Sequence, residues 1–392
     1  MADEPGSPEP PFGNPFANLP MFGDLAKALS GQGPLNWDAA RQFAALAATG
    51  GSAEPNVDPA SRIALHDLAR IVEMHVRDIT GTDAALPPVT TVTRGEWAMR
   101  TLEAYRPLFT EMATSLGRRP TEDAQAVDPM ASMMASLSQM MQPSMLGMAV
   151  GSMVGRLASR TFGQYDLPIP RDDRALLVVP ASIDAFAGEW SLPVDEMRLW
   201  VLAQEMASSV LFGIMSLRTQ YTELVRAHVG GFRPDPGAVA DHLASLELGD
   251  GSDPVEAVQR LFSDPAVLLG AVQSPEQAQL APRLDCAVAA VLGISDYLVD
   301  SVALRVIGGD ALRIAEAVRR RRIERSPDDR FVEQLLGLHV TQEQVQRGKT
   351  FAAGVVDRVG ESRLIELLGA AEPLPTPAEF EAPGLWVARL EL

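Results

Sequence analysis

The chain has 392 residues, 46% hydrophobic and 21% charged, the balance of an ordinary soluble globular protein with length for two or three domains. Its formal charge of −18, from 33 basic and 51 acidic residues, argues against the basic surface that a nucleic-acid binder needs. The single cysteine, Cys286, excludes an internal disulfide and fits a reducing cytoplasm.

Residues 1–35 carry proline, glycine and phenylalanine without periodicity and read as a mobile tail, with Phe12, Phe16 and Phe22 as elements that could dock a partner. The first residues, MADEPGSPEPPFGNPF, are acidic and proline-rich where a secretory signal would be basic and then apolar, so no signal is expected. Residues 36–162 read as a helical region. NWDAARQFAALAATG begins with a capping asparagine and ends on a glycine stop. The stretch from Asp58 to Gly81 follows the same plan, with Ile63, Leu65, Leu68, Ile71, Val72 and Val76 at helical spacing. A third helix is expected to include Trp97 and Tyr105. The methionines Met130, Met133, Met134, Met140 and Met141 precede MLGMAVGSMVG, which is well short of the roughly 20 apolar residues of a membrane span. Gly147, Gly151 and Gly155 are spaced to line one helix face and admit a second helix closely.

Residues 163–392 form the second expected region. GQYDLPIP reads as a turn and extended segment, ALLVVP (175–180) as a strand, and Ser191 as a helix cap. Long apolar helices follow, then ALRIAEAVRRRRIER, whose basic end is expected to be a solvated helix terminus at the negative pole of its dipole. No phosphate-binding glycine loop, nucleophile elbow or internal repeat is present. The fold expected is mainly α, a helical bundle with very little β.

The helix WVLAQEMASSVLFG (200–213) places a glutamate, Glu205, in an apolar run with no cation beside it. Zinc hydrolases that read H-E-x-x-H hold the metal with two histidines one turn apart, and use the glutamate as general base. In that register this chain has Gln204-Glu205-Met206-Ala207-Ser208: the glutamate is kept and both histidines are absent. The flanking Trp200, Val201, Phe212, Gly213, Leu217 and Arg218, the upstream Gly163-Gln164-Tyr165-Asp166 and the downstream SPEQ from Ser274 carry a resemblance. Together they resemble a bacterial zincin-like family described as zinc-dependent metalloproteases or hydrolases, with relatives associated with coenzyme biosynthesis.

The resemblance implies a zincin-like metallopeptidase scaffold and a degenerate metal site. Gln204 and Ser208 take the places of the histidine ligands, Asp296 that of the distal acidic ligand, and Glu205 is the vestige of the general base. Trp200 and Asp300, the latter four residues after Asp296, surround that shell. Zinc is expected of the family and not expected here, because an amide oxygen and a hydroxyl are weak zinc donors beside imidazole. Gln204 and Ser208, one helical turn apart, are expected to hydrogen-bond each other or a trapped water. The plainer alternative is that Glu205 faces solvent. His66 and His75 lie on opposite helix faces, His242 and His339 offer no cluster, and His228 is the one histidine that a restored site could use.

The function expected is a catalytically inactive cytoplasmic binding or scaffold protein with a protein or peptide partner, and neither nucleic acid nor membrane span. The alternative is an active metal-dependent hydrolase with a non-standard metal.

Overall fold

The computed structural model describes residues 33–117, 129–234, 271–272, 274–323, 333, 335–338 and 340–391. The phenylalanines of the tail, the side chains of Met130, Met133 and Met134, and His242, His339 and Arg325 lie outside the described residues. The fold is mainly α, as the periodicity predicts.

Helix α1 (Trp37–Thr49) begins on Asn36, whose side chain accepts from the N–H groups of Asp38 and Ala39, and ends at Gly50 in the left-handed region. Helix α2 (Pro59–Thr80) has the same punctuation, from Asp58 to Gly81. Its buried stripe is Leu65, Ala69, Val72, Val76 and Ile79; Ile63 and Ile71, expected to share that face, are exposed. Ile63 lies about 200° around the helix from Leu65, so one stripe cannot hold both. Helices α3 (Arg94–Ala104) and α4 (Arg106–Leu116) break at Tyr105, which therefore ends the third helix instead of lying inside it.

Helix α5 (Pro129–Ala158) carries the glycine ladder. A Cβ on Gly147, Gly151 or Gly155 would come within 2.2, 2.2 and 2.5 Å of the carbonyl oxygens of Asn36, Ala40 and Ala44. The ladder thus brings α5 into backbone contact with α1, inside the protein.

The strands are few among the described residues. β1 (Val89–Thr91) pairs in parallel with β2 (Leu176–Val178), Val89 opposite Leu176. β2 matches the predicted strand; β1, only three residues long behind two prolines, gives no period to read. β3 (Arg233–Pro234) and β4 (Ala271–Val272) form a short antiparallel pair. The β1–β2 pairing joins residues before 162 to residues after it, and one hydrophobic cluster runs through both.

Helices α6 (Pro180–Glu189), α7 (Val194–Gly213) and α8 (Met215–Gly230) follow, with a 93° bend between α7 and α8. Ser191 is not the cap of α7: Pro193 holds that position without a side-chain bond, and Ser191 takes a positive φ of 52° in the preceding turn. Helix α9 (Pro275–Val306) opens with a capping box between Ser274 and Gln277. It is long and apolar enough to cross a membrane, yet 78% of its apolar window is buried within the protein, as befits a core helix. Helix α10 (Ala311–Ile323) doubles back after it. Helix α11 (Gln342–Val359) crosses α9 at Gly293 and Gly348, where a Cβ on either would stand 2.1 Å from the other helix's backbone. The short helices α12 (Glu361–Leu368), α13 (Pro377–Glu381) and α14 (Pro383–Leu390) close that end.

Candidate functional site

Helix α7 is buried on every side from Trp200 to Phe212, because α2, α9, α10 and the 163–166 turn all pack on it. The polar residues at its centre must therefore find partners inside the protein.

Glu205 is fully buried, which removes the solvent-facing reading. Its Oε2 accepts from the N–H of Gln164 at 2.8 Å and of Tyr165 at 3.0 Å, and Oε1 accepts from Tyr165 N–H at 3.2 Å. The carboxyl group thus caps the single 3₁₀ turn Gln164–Asp166. It lies against Gly163, where a Cβ would stand 2.5 Å from the carboxyl carbon. The Gly163 carbonyl accepts in turn from Trp97 Nε1 and Thr161 Oγ1, both at 2.9 Å. Burial holds the Glu205 carboxyl well above the usual carboxylate range, and the Asp166 charge pushes the same way; the two backbone N–H groups and Arg171 pull it back only in part. Burial and then Glu205 push the Tyr165 phenol up to about 12.

Gln204 lines a small cavity of about 50 Å³, room for a few waters, beside the end of this turn. Trp97, Thr161, Asp166, Arg321 and Arg322 are among the residues that line it. Gln204 Nε2 reaches Asp166 Oδ1 at 3.5 Å, while its Oε1 is buried without a hydrogen-bond partner. Asp166 fixes the turn: its Oδ2 accepts from Thr161 Oγ1 at 2.8 Å and from Phe162 N–H at 2.5 Å. Ser208 is not hydrogen-bonded to Gln204 directly; it shares a 3.1 Å hydrogen bond with Ser295 of α9.

Asp296 is buried and ion-paired. Arg322 Nη1 lies 3.0 Å from its Oδ1 and 3.3 Å from its Oδ2, and Arg319 Nε lies 3.6 Å from Oδ2. Asp300, one turn on, takes two 2.5 Å bonds from Arg319 Nη2, with Lys349 Nζ 3.8 Å away. Burial, helped by the Arg319 charge, pushes the Lys349 ammonium below the usual lysine range. Trp200 is a buried core side chain.

The basic end of α10 is therefore only partly solvated: Arg320 is exposed, and Arg319, Arg321 and Arg322 are half-buried. Arg319 and Arg322 point inward to α9, the Arg321 guanidinium lies 3.7 Å over the Phe162 ring and bonds the Arg160 carbonyl, and Arg320 covers Trp190. A sequence signal existed: Ile314 and Val318 are buried, and Arg322 continues their i, i+4 row. No such signal marked Gly163 or Gln164. His228 is buried edge-on to Phe232, with its ring beside Gly337, and does not line the cavity.

Zinc, the metal the family implies, asks for imidazole, thiolate or carboxylate donors in a tetrahedron. Gln204, Ser208 and Asp296, the positions that the resemblance assigns to the ligands, offer an amide, a hydroxyl and a carboxylate paired with two guanidinium groups. Among the described residues no three His, Cys, Asp or Glu side chains cluster as a metal site. The described residues do not fit zinc.

Comparison with solved structures finds the same fold in a crystal structure from Chloroflexus aurantiacus, described as a proposed hydrolase with a novel fold. The two align with a TM-score of 0.60 and 21% identity over 91% of this chain and 99% of that one. No curated protein sequence matches the chain. Residues 35–387 match the sequence profile of the zincin-like metallopeptidases, and the chain belongs to that family.

Proposed function

We propose that this protein is a zincin-like metallopeptidase relative that binds and does not cleave, acting in a reducing cytoplasm on a protein or peptide partner. The reading rests on one observation above others: the acidic side chain at the distal-ligand position, Asp296, is paired with Arg322 and Arg319. A fixed cation stands where a metal ion would draw on that carboxylate, and Gln204 and Ser208 offer no imidazole. Without a Lewis acid to acidify a water, a carboxyl such as Glu205 has no nucleophile to generate. Its own bonds are to backbone amides.

Elemental analysis of the purified chain, paired with a peptide-hydrolysis assay with and without chelator, tests the proposal. Substoichiometric zinc and no chelator-sensitive turnover are the expected results. Stoichiometric zinc, lost together with hydrolysis on chelation, would reject it in favour of a working hydrolase with a non-standard site.

A further inference from the structure

Helix α2 is apolar on two sides. Its buried stripe, Leu65, Ala69, Val72 and Val76, faces the body of the protein, where α7 and α9 pack on the helix. On the other side Ile63, Ile71 and Met74 are 63, 47 and 59% exposed, with Asp67 and Arg70 exposed between them. Ile63, Asp67, Arg70 and Met74 are four, three and four residues apart, the alternation of a heptad seam. At 100° per residue they fall within about 60° of one another around the helix. Within the chain Asp67 meets the exposed His66 imidazole at 3.8 Å, and among the described residues Arg70 forms no ion pair.

The order of the seam is apolar, acid, base, apolar, and read backwards it is apolar, base, acid, apolar. Two copies laid antiparallel therefore complement each other in every layer. Ile63 of one meets Met74 of the other, Asp67 meets Arg70, and a two-fold axis repeats each pair. Ile71, beside the seam, comes next to Ile71 of the second copy. A parallel arrangement would set Asp67 on Asp67 and Arg70 on Arg70, which repel. We infer that this face of α2 is a dimerisation surface, on which a second copy of this chain packs antiparallel along the seam from Ile63 to Met74. The seam covers about 16 Å of helix, and two of its four layers are charged, so the contact is smaller than a standard interface of roughly 1,200–2,000 Å² and the dimer is a weak one. The surface is separate from the site on α7 and goes beyond the binding role proposed above.

Sedimentation velocity on the full chain, from about 1 to about 300 μM, tests the surface. Salt at about 0.15 M screens the repulsion between two chains of formal charge −18. The mass should rise from one chain to two, half-associated at roughly 10–100 μM. Asp67→Arg and, separately, Arg70→Asp set like charges across the seam, and each should weaken self-association at least about tenfold. Mixing the two single variants restores opposite charges in both charged layers, so the mixture should form a heterodimer about as strong as the unaltered dimer. Both side chains are exposed, so the circular dichroism should not change. Should either variant misfold, oxidation of the Ile63→Cys, Met74→Cys double variant decides: a reducible two-chain product supports the seam, and its absence overturns it. A chain that stays monomeric throughout overturns the proposal, as does a dimer that neither charge reversal weakens. A mixture of the folded single variants that stays monomeric overturns the antiparallel pairing on which it rests.

Discussion

Two buried carboxyl groups on neighbouring core helices are satisfied in different ways. Glu205 on α7 is met by backbone N–H groups of a 3₁₀ turn, whereas Asp296 on α9 is met by guanidinium groups of α10. Dipoles leave the first proton-hungry, since burial still outweighs them. Full charges hold the second in an ion pair that no peptide dipole could replace. The first arrangement fixes a turn; the second ties two helices together. Both acids sit at positions that the family resemblance assigns to the site, and each helps to hold the structure.

The sharpest way to break this contrast is to remove one partner from each. Arg322→Met leaves Asp296 buried beside Arg319 alone, and unfolding by urea should show a loss of roughly 3 kcal/mol, with removal of the second partner expected to add more. Adding Asp296→Asn should recover much of it; a double variant no better than Arg322→Met would show that the ion pair is not what the arginine supplies. Next in size is Gly163→Ala, which drives a methyl group into the Glu205 carboxyl and should cost roughly 1–3 kcal/mol. The cost should shrink in a Glu205→Ala background, and strict additivity would contradict the contact.

The smallest effect is one of pH. The folded Glu205 carboxyl holds its proton more tightly than the unfolded one, whose model value is 4.5. Its contribution is therefore fully present below that value and lost as pH rises through the higher folded value. Glu205→Gln keeps an acceptor for the two N–H groups and cannot ionise, so it should flatten the fall of the urea midpoint that sets in as pH rises above 4.5. An unchanged slope in the variant would assign the pH dependence to another group.

What could be read from the sequence follows the range of each interaction. The caps at Asn36 and Asp58, the stop at Gly50 and the close approach at Gly147, Gly151 and Gly155 are legible because each depends on neighbours within a few residues or on helical period. The incongruity of Glu205 in an apolar helix is legible for the same reason. Its partners are not: Gln164 lies 41 residues upstream, in a turn whose geometry no period announces. The inward pairing of Arg319 and Arg322 departs from the expected solvated end, because a basic helix end usually meets water. Only the packing of α10 on α7 and α9 turns Arg319 and Arg322 inward.

The peptide unit at Gly163 is gripped from both sides, by Trp97 and Thr161 at its oxygen and by Glu205 at the amides that follow. A loop held in this manner ought to behave in deuterated solvent like the interior of a helix. The Gln164 and Tyr165 protons should be retained until the whole molecule opens, at rates set by global stability and not by local fraying.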